Sequence, residues 1–73
     1  MKENKREFKI TSIKRKIIEN LAGGFSDREI GEKLGKSYYS VRNYIFEMEK
    51  DTGTKNRPHL VNWAYKNGVL KVK

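Results

Sequence analysis

Apolar residues recur at helical spacing in four stretches of this chain, and each stretch is bracketed by residues that start and stop helices. Ile13, Ile17, Ile18 and Leu21 fall on one face of a segment from Ser12 to Ala22, with Thr11 placed to cap its start and Gly23 and Gly24 to stop it. A second helix is predicted from Asp27 to Leu34. There Ser26 followed by Glu29 forms a capping box, Ile30 and Leu34 turn inward, and Gly35 breaks the segment. A third runs from Tyr38 to Lys50, capped by Ser37 and ended by Gly53, with Val41, Tyr44, Ile45 and Met48 as its inner stripe. The fourth runs from Arg57 to Asn67. Asn56 caps it, Pro58 sits in the first turn where no amide partner is lost, and Gly68 closes it. The closing "VLKVK" is short and is expected to cover the core.

The second and third helices are separated by only "GKS", Gly35 to Ser37. A short helix, a tight glycine-led turn and a longer helix make a helix-turn-helix. Gly31, inside the second helix, costs about 1 kcal/mol against Ala. It is reasonable there if the backbone of another helix passes close by. The fold expected is all-α: one helix-turn-helix domain over residues 10–73, preceded by a basic, flexible lead-in over residues 1–9.

Composition narrows the chemistry. A chain of 73 residues is one domain, and at this size only about 60% of the unfolded surface is buried, so stability alone is marginal. The absence of Cys excludes a disulfide scaffold and a thiolate site, and a single His cannot found an imidazole metal cluster. No apolar run approaches the ~18 residues of a membrane span, and no signal-type stretch follows "MKENKREFK". A cytoplasmic protein without cofactor is expected. Lys and Arg number 17 against 9 Asp and Glu, a net charge of +8, which points to a polyanionic partner, nucleic acid before membrane surface.

The outer face of the third helix sharpens that reading. With its apolar stripe turned inward, the opposite side carries Tyr39, Asn43, Phe46 and Lys50, flanked by Arg42. A solvated face is ordinarily built from Lys, Glu and Gln. Here the residues are those that read bases: Arg forks onto guanine, Asn pairs with adenine, and an aromatic edge packs on a thymine methyl. Glu47 and Glu49 lie off the centre of this stripe. Phe46 is also open to a packing role.

From Ile10 to Leu70 the chain resembles, without gaps, the LuxR/GerE-type helix-turn-helix domain. The matching residues are Thr11, Glu19 and Leu21, "SDREIGEKL" from Ser26 to Leu34, Ser37, "SVRNYI" from Ser40 to Ile45, Gly53, Arg57, Val61, and "KNGVL" from Lys66 to Leu70. The resemblance implies a four-helix transcription regulator that binds double-stranded DNA as a homodimer, with its third helix in the major groove and its last helix at the dimer interface. It places base contacts on Arg42, Asn43 and Phe46, with Ser40 and Tyr39 beside them. Phosphate contacts fall on Ser26, Ser37, Lys55, Asn56 and Arg57; Lys36 and Lys50 add basic groups, and helix N-termini offer free amides to phosphate. The departures are local. Lys14 stands at the positive end of the first helix, unfavourable by about 0.3–1 kcal/mol unless an anion lies near. Thr52 replaces the usual leucine before Gly53, and Phe46 replaces a usually polar groove residue.

The fourth helix carries more apolar surface than one core needs, with Leu60 and Ala64 on one face, Val61 and Tyr65 on the next and Trp63 on the other flank. Val61, Trp63, Ala64 and Tyr65 are therefore expected to form a self-complementary dimer patch. His59, alone in the first turn, has a surface or capping role. No catalytic constellation is found, and an enzyme is not expected. The competing function is an adaptor that docks on RNA polymerase or a sigma factor, with Phe46 and Trp63 as anchors. A third, non-specific nucleoid or RNA binding, needs only the charge. Opening at Met1 with nine residues ahead of the domain, the chain is expected to be either a complete regulator of the stand-alone GerE kind, which that start favours, or a domain cut from a longer chain with a sensor ahead of it.

Overall fold

The computed structural model describes residues 10–71, so the predicted lead-in over residues 1–9 lies outside the described residues. Four helices follow in order: α1 Ser12–Ala22, α2 Asp27–Leu34, α3 Tyr38–Thr52 and α4 Arg57–Lys66. Among the described residues there is no strand. All four N-caps form as the sequence predicts. Thr11, Ser26, Ser37 and Asn56 hold extended backbone and accept the amides of Lys14, Glu29, Ser40 and His59. The capping box is complete, since Glu29 Oε1 accepts the Ser26 amide at 2.9 Å while Ser26 Oγ accepts the Glu29 amide at 3.2 Å.

Two helix ends differ from the expected bounds. α3 continues past Lys50 to Thr52, because Gly53, with φ of 73°, is the first residue that can turn left-handed and fold its amide back onto Glu49. α4 stops one residue earlier than predicted, at Lys66, with Asn67 as its cap.

α1 packs on each of the other three helices, and α2 packs most extensively on α3. The core joins Ile17 and Ile18 of α1, Ile30 of α2, Val41, Ile45 and Met48 of α3, Leu60 and Ala64 of α4, and Leu70 of the tail. Ile13, Leu21, Leu34 and Tyr44, all expected inside, are half-buried and pack against this cluster from its rim. The tail covers the core as expected: the Leu70 amide bonds Ala64 O, and Arg15 donates to Val69 O at 2.7 Å, tying the tail to α1.

The close approach at Gly31 is real, but its partner is not a helix. A Cβ there would lie 2.6 Å from Lys36 O, in the turn itself. The turn curls over α2, and the Lys36 amide bonds Gly31 O at 2.9 Å. Lys14 has a local answer as well. Its side chain is 16% exposed and its ammonium lies 3.5 Å from the Glu47 carboxylate on α3, so a carboxylate rather than a phosphate offsets its place at the N-terminus of α1. At the end of α3, the Thr52 hydroxyl donates to Met48 O at 2.7 Å and lies 3.0 Å from Thr54 Oγ1. A polar pair thus fills the corner where a leucine was missed.

Candidate nucleic-acid interface

α2, its short turn and α3 form the helix-turn-helix, with α3 as its longer second helix. Val41, Ile45 and Met48 are buried, and this fixes which face α3 turns outward. On that face Tyr39 is 72% exposed and Phe46 64% exposed, and Arg42, Asn43 and Lys50 are exposed as well. Phe46 is therefore not a packing residue of this chain. Tyr39, Arg42, Asn43 and Phe46 together line a shallow depression of about 230 Å³. Ser40 does not join it: it is half-buried, and its oxygen accepts a hydrogen bond from the Ser37 hydroxyl at 3.1 Å.

The residues assigned to phosphate lie at or beside three helix starts, except Lys50, which sits in the last turn of α3. Ser26, Ser37 and Asn56 are the N-caps of α2, α3 and α4, and their side-chain oxygens already accept amides of their own helices. Lys36, Lys50 and Lys55 are exposed. Arg57 is the exception, being half-buried with Nε 3.0 Å from Asp27 Oδ1 and its Nη2 against Oδ2. The hydrogen bond that Arg57 donates to Asp27 raises the Arg57 pKa, burial opposes this, and the charges of Asp27 and Glu49 add to the rise. The guanidinium is held charged at every working pH, with its charge matched inside the protein. Beside it, His59 Nδ1 accepts the Lys55 amide at 3.1 Å, which fixes the loop before α4.

Arg28 and Tyr38 were missed. The Tyr38 ring, at the first position of α3, has the Arg28 guanidinium 5.0 Å from its centroid and that of Arg42 5.5 Å away. The spacing of Tyr38 and Arg42, four apart on one helix, could have signalled the second contact; the first crosses the turn and leaves no trace in spacing.

On α4, Ala64 is fully buried in the chain's own core and presents no surface to a partner, which corrects its assignment to a dimer patch. Val61 and Tyr65 do offer surface. They line a groove of about 540 Å³ with Leu21, Ala22, Gly24, Phe25 and Pro58, between α4 and the end of α1. Trp63 is half-buried against the core and lies outside that groove. Among the described residues no cluster of His, Cys, Asp or Glu could hold a metal ion, and no helix is long and apolar enough to cross a membrane.

These features define a four-helix helix-turn-helix domain. The chain is similar to the crystal structure of the response regulator ChrA of a heme-sensing two-component system, with a TM-score of 0.83 and 22% sequence identity over 89% of this chain. It spans about a third, 32%, of the length of that response regulator. The likeness is one of fold. No family model matches the sequence, and no curated protein matches it at a significant level.

Proposed function

We propose that this chain is a sequence-specific DNA-binding module of a transcription regulator, of the LuxR/GerE type, working in the cytoplasm at the nucleoid without cofactor and without enzymatic activity. One observation carries the reading. The outward face of the second helix of a helix-turn-helix bears Tyr39, Arg42, Asn43 and Phe46 around one depression, on a chain of net charge +8. α3 lies in the major groove, with Arg42 and Asn43 on base edges, Tyr39 and Phe46 against base edges and thymine methyls, and Ser40 supporting from the helix start. Ser26, Lys36, Ser37, Lys50, Lys55 and Asn56 meet phosphates and set the register; Arg57, engaged with Asp27, shapes the α4 end of this rim. Two copies associate through α4, with Val61 and Tyr65 at the centre and Trp63 at the edge, and read a roughly palindromic site.

Selection of bound fragments from a random DNA pool at physiological salt tests the reading. An enriched inverted repeat is expected, and the doubly substituted Arg42→Ala, Asn43→Ala protein should no longer protect it in a footprint. Retained protection of the same site by the double variant would remove α3 from the groove.

The exposure of Phe46 favours one second reading, a small adaptor that docks on RNA polymerase or a sigma factor. Under it, the same double variant keeps its protein partner while Phe46→Ala loses it.

A further inference from the structure

We infer that Tyr38 is a positioning residue that gathers Arg28 and Arg42, from the two helices of the helix-turn-helix, into one preset pair of guanidinium groups at the entrance of α3. The inference rests on the DNA reading of α3 and adds two residues to it, one of which lies on α2.

The geometry is specific. The Tyr38 ring is half-buried at the start of α3, and Tyr39 meets it edge-on, with centroids 5.3 Å apart and planes at 70°. That contact and the helix start fix the ring. Arg28 Cζ lies 5.0 Å from the centroid, Arg42 Cζ 5.5 Å, and Arg42 Nη1 reaches the Tyr38 hydroxyl at 3.4 Å. Among the described residues neither arginine pairs with a carboxylate. Two guanidinium groups converging on one ring would repel each other and disperse in water. The negative face of the ring offsets that repulsion, and its rigid plane limits the rotamers each arginine samples. An arginine whose rotamers are restricted before binding loses less freedom when it meets a base edge or phosphate. The pair thus presents two positive forks, on adjacent helices, to one stretch of polyanion: Arg42 to a base, Arg28 to the neighbouring phosphate.

Two readouts test this on the full chain. The first needs no DNA. In the free protein the Arg28 and Arg42 Nε–H resonances should carry a ring-current shift that Tyr38→Phe preserves and Tyr38→Leu abolishes; Tyr38→Phe keeps the ring volume and guards against a folding defect. Unshifted resonances in the unsubstituted protein would overturn the positioning itself. The second is the ratio of affinities for the selected site and a scrambled duplex. Tyr38→Leu should lower that ratio about tenfold, the scale of one lost bidentate base contact. In an Arg42→Ala background it should change the ratio less than about twofold, because both substitutions remove the same contact. Losses that multiply, or a Tyr38→Leu ratio equal to that of the unsubstituted protein, would overturn the inference while leaving the DNA reading intact. If the unsubstituted protein selects no site at all, the DNA reading falls and the specificity role of Tyr38 falls with it, whatever the resonances show.

Discussion

A glycine inside a helix is ordinarily a weakness, and replacing it with alanine gains about 1 kcal/mol. Gly31 reverses the sign. The Cβ of an alanine would lie 2.6 Å from Lys36 O, a backbone atom of the turn that cannot rotate away. Gly31→Ala should therefore lower stability by about 1–3 kcal/mol, as overpacking does, seen as a lower urea midpoint. An unchanged or raised midpoint would show the turn to be slack. The sequence carried the anomaly, a poor helix residue in mid-helix, but not its cause, because the neighbour is a carbonyl that only the path of the turn brings near. The same limit explains Arg28 and Tyr38. Residue types and helical period sufficed to collect Tyr39, Arg42, Asn43 and Phe46 on one face, since a single helix sets their arrangement. A contact between α2 and the start of α3 depends on how the helices cross, which periodicity does not encode. Ala64 failed for the opposite reason: on a helix apolar on several sides, period alone does not say which side the core takes.

At the scale of elements, caps and breakers settled where each helix begins, because a cap acts within one turn of its own chain. The ends of α2 and α3 fall where a glycine turns left-handed, Gly35 and Gly53, so α3 ran on to Thr52, whereas α1 and α4 end on caps that keep negative φ. α2 and α4 do not pack on each other, and the Asp27–Arg57 pair bridges the N-termini of the two. Asp27 is largely enclosed, at 14% exposure, whereas Arg57 is 40% exposed, so solvent screens part of the attraction. Asp27→Ala should cost about 1 kcal/mol in thermal or urea unfolding, a loss that also includes the favourable dipole term of an acidic residue in the first turn of α2. The arginine contributes no pH dependence. Its pKa is raised in the folded state from an already high value, so its contribution is complete below the unfolded pKa and fades only as pH rises through the folded one, beyond any working range. A difference between Asp27→Ala and the unsubstituted protein that is insensitive to salt would argue against an electrostatic tie.

For the whole molecule, charge and oligomeric state should act together. Under the proposed DNA reading, three exposed lysines, Lys36, Lys50 and Lys55, with the exposed Arg28 would give roughly four basic phosphate contacts per copy. At about −0.9 per contact, a bound pair should show a slope of log affinity against log salt near roughly −7, and a single copy about half that. Tyr65 is 41% exposed and lines the groove beside α4, so Tyr65→Glu should leave helicity unchanged while halving the slope on a two-half-site duplex. A slope that stays the same would move the contact between copies away from α4.

The packing of α3 on α4 has a further consequence. The proposed reading helix, α3, packs directly on the proposed pairing helix, α4, and both rest on α1, while the Asp27–Arg57 pair ties α2 to α4. Two copies paired back to back on α4, as proposed, would behave as calipers, whose opening is set by the stiffness of that joint. One base pair inserted between half-sites moves the far one by about 3.4 Å and turns it by about a tenth of a revolution, given roughly 34–36 Å and 10–10.5 base pairs per turn. A joint packed this directly would tolerate little of that, and thinning the contact between α3 and α4 would widen the range of operator spacings accepted before it weakened the grip on any single half-site.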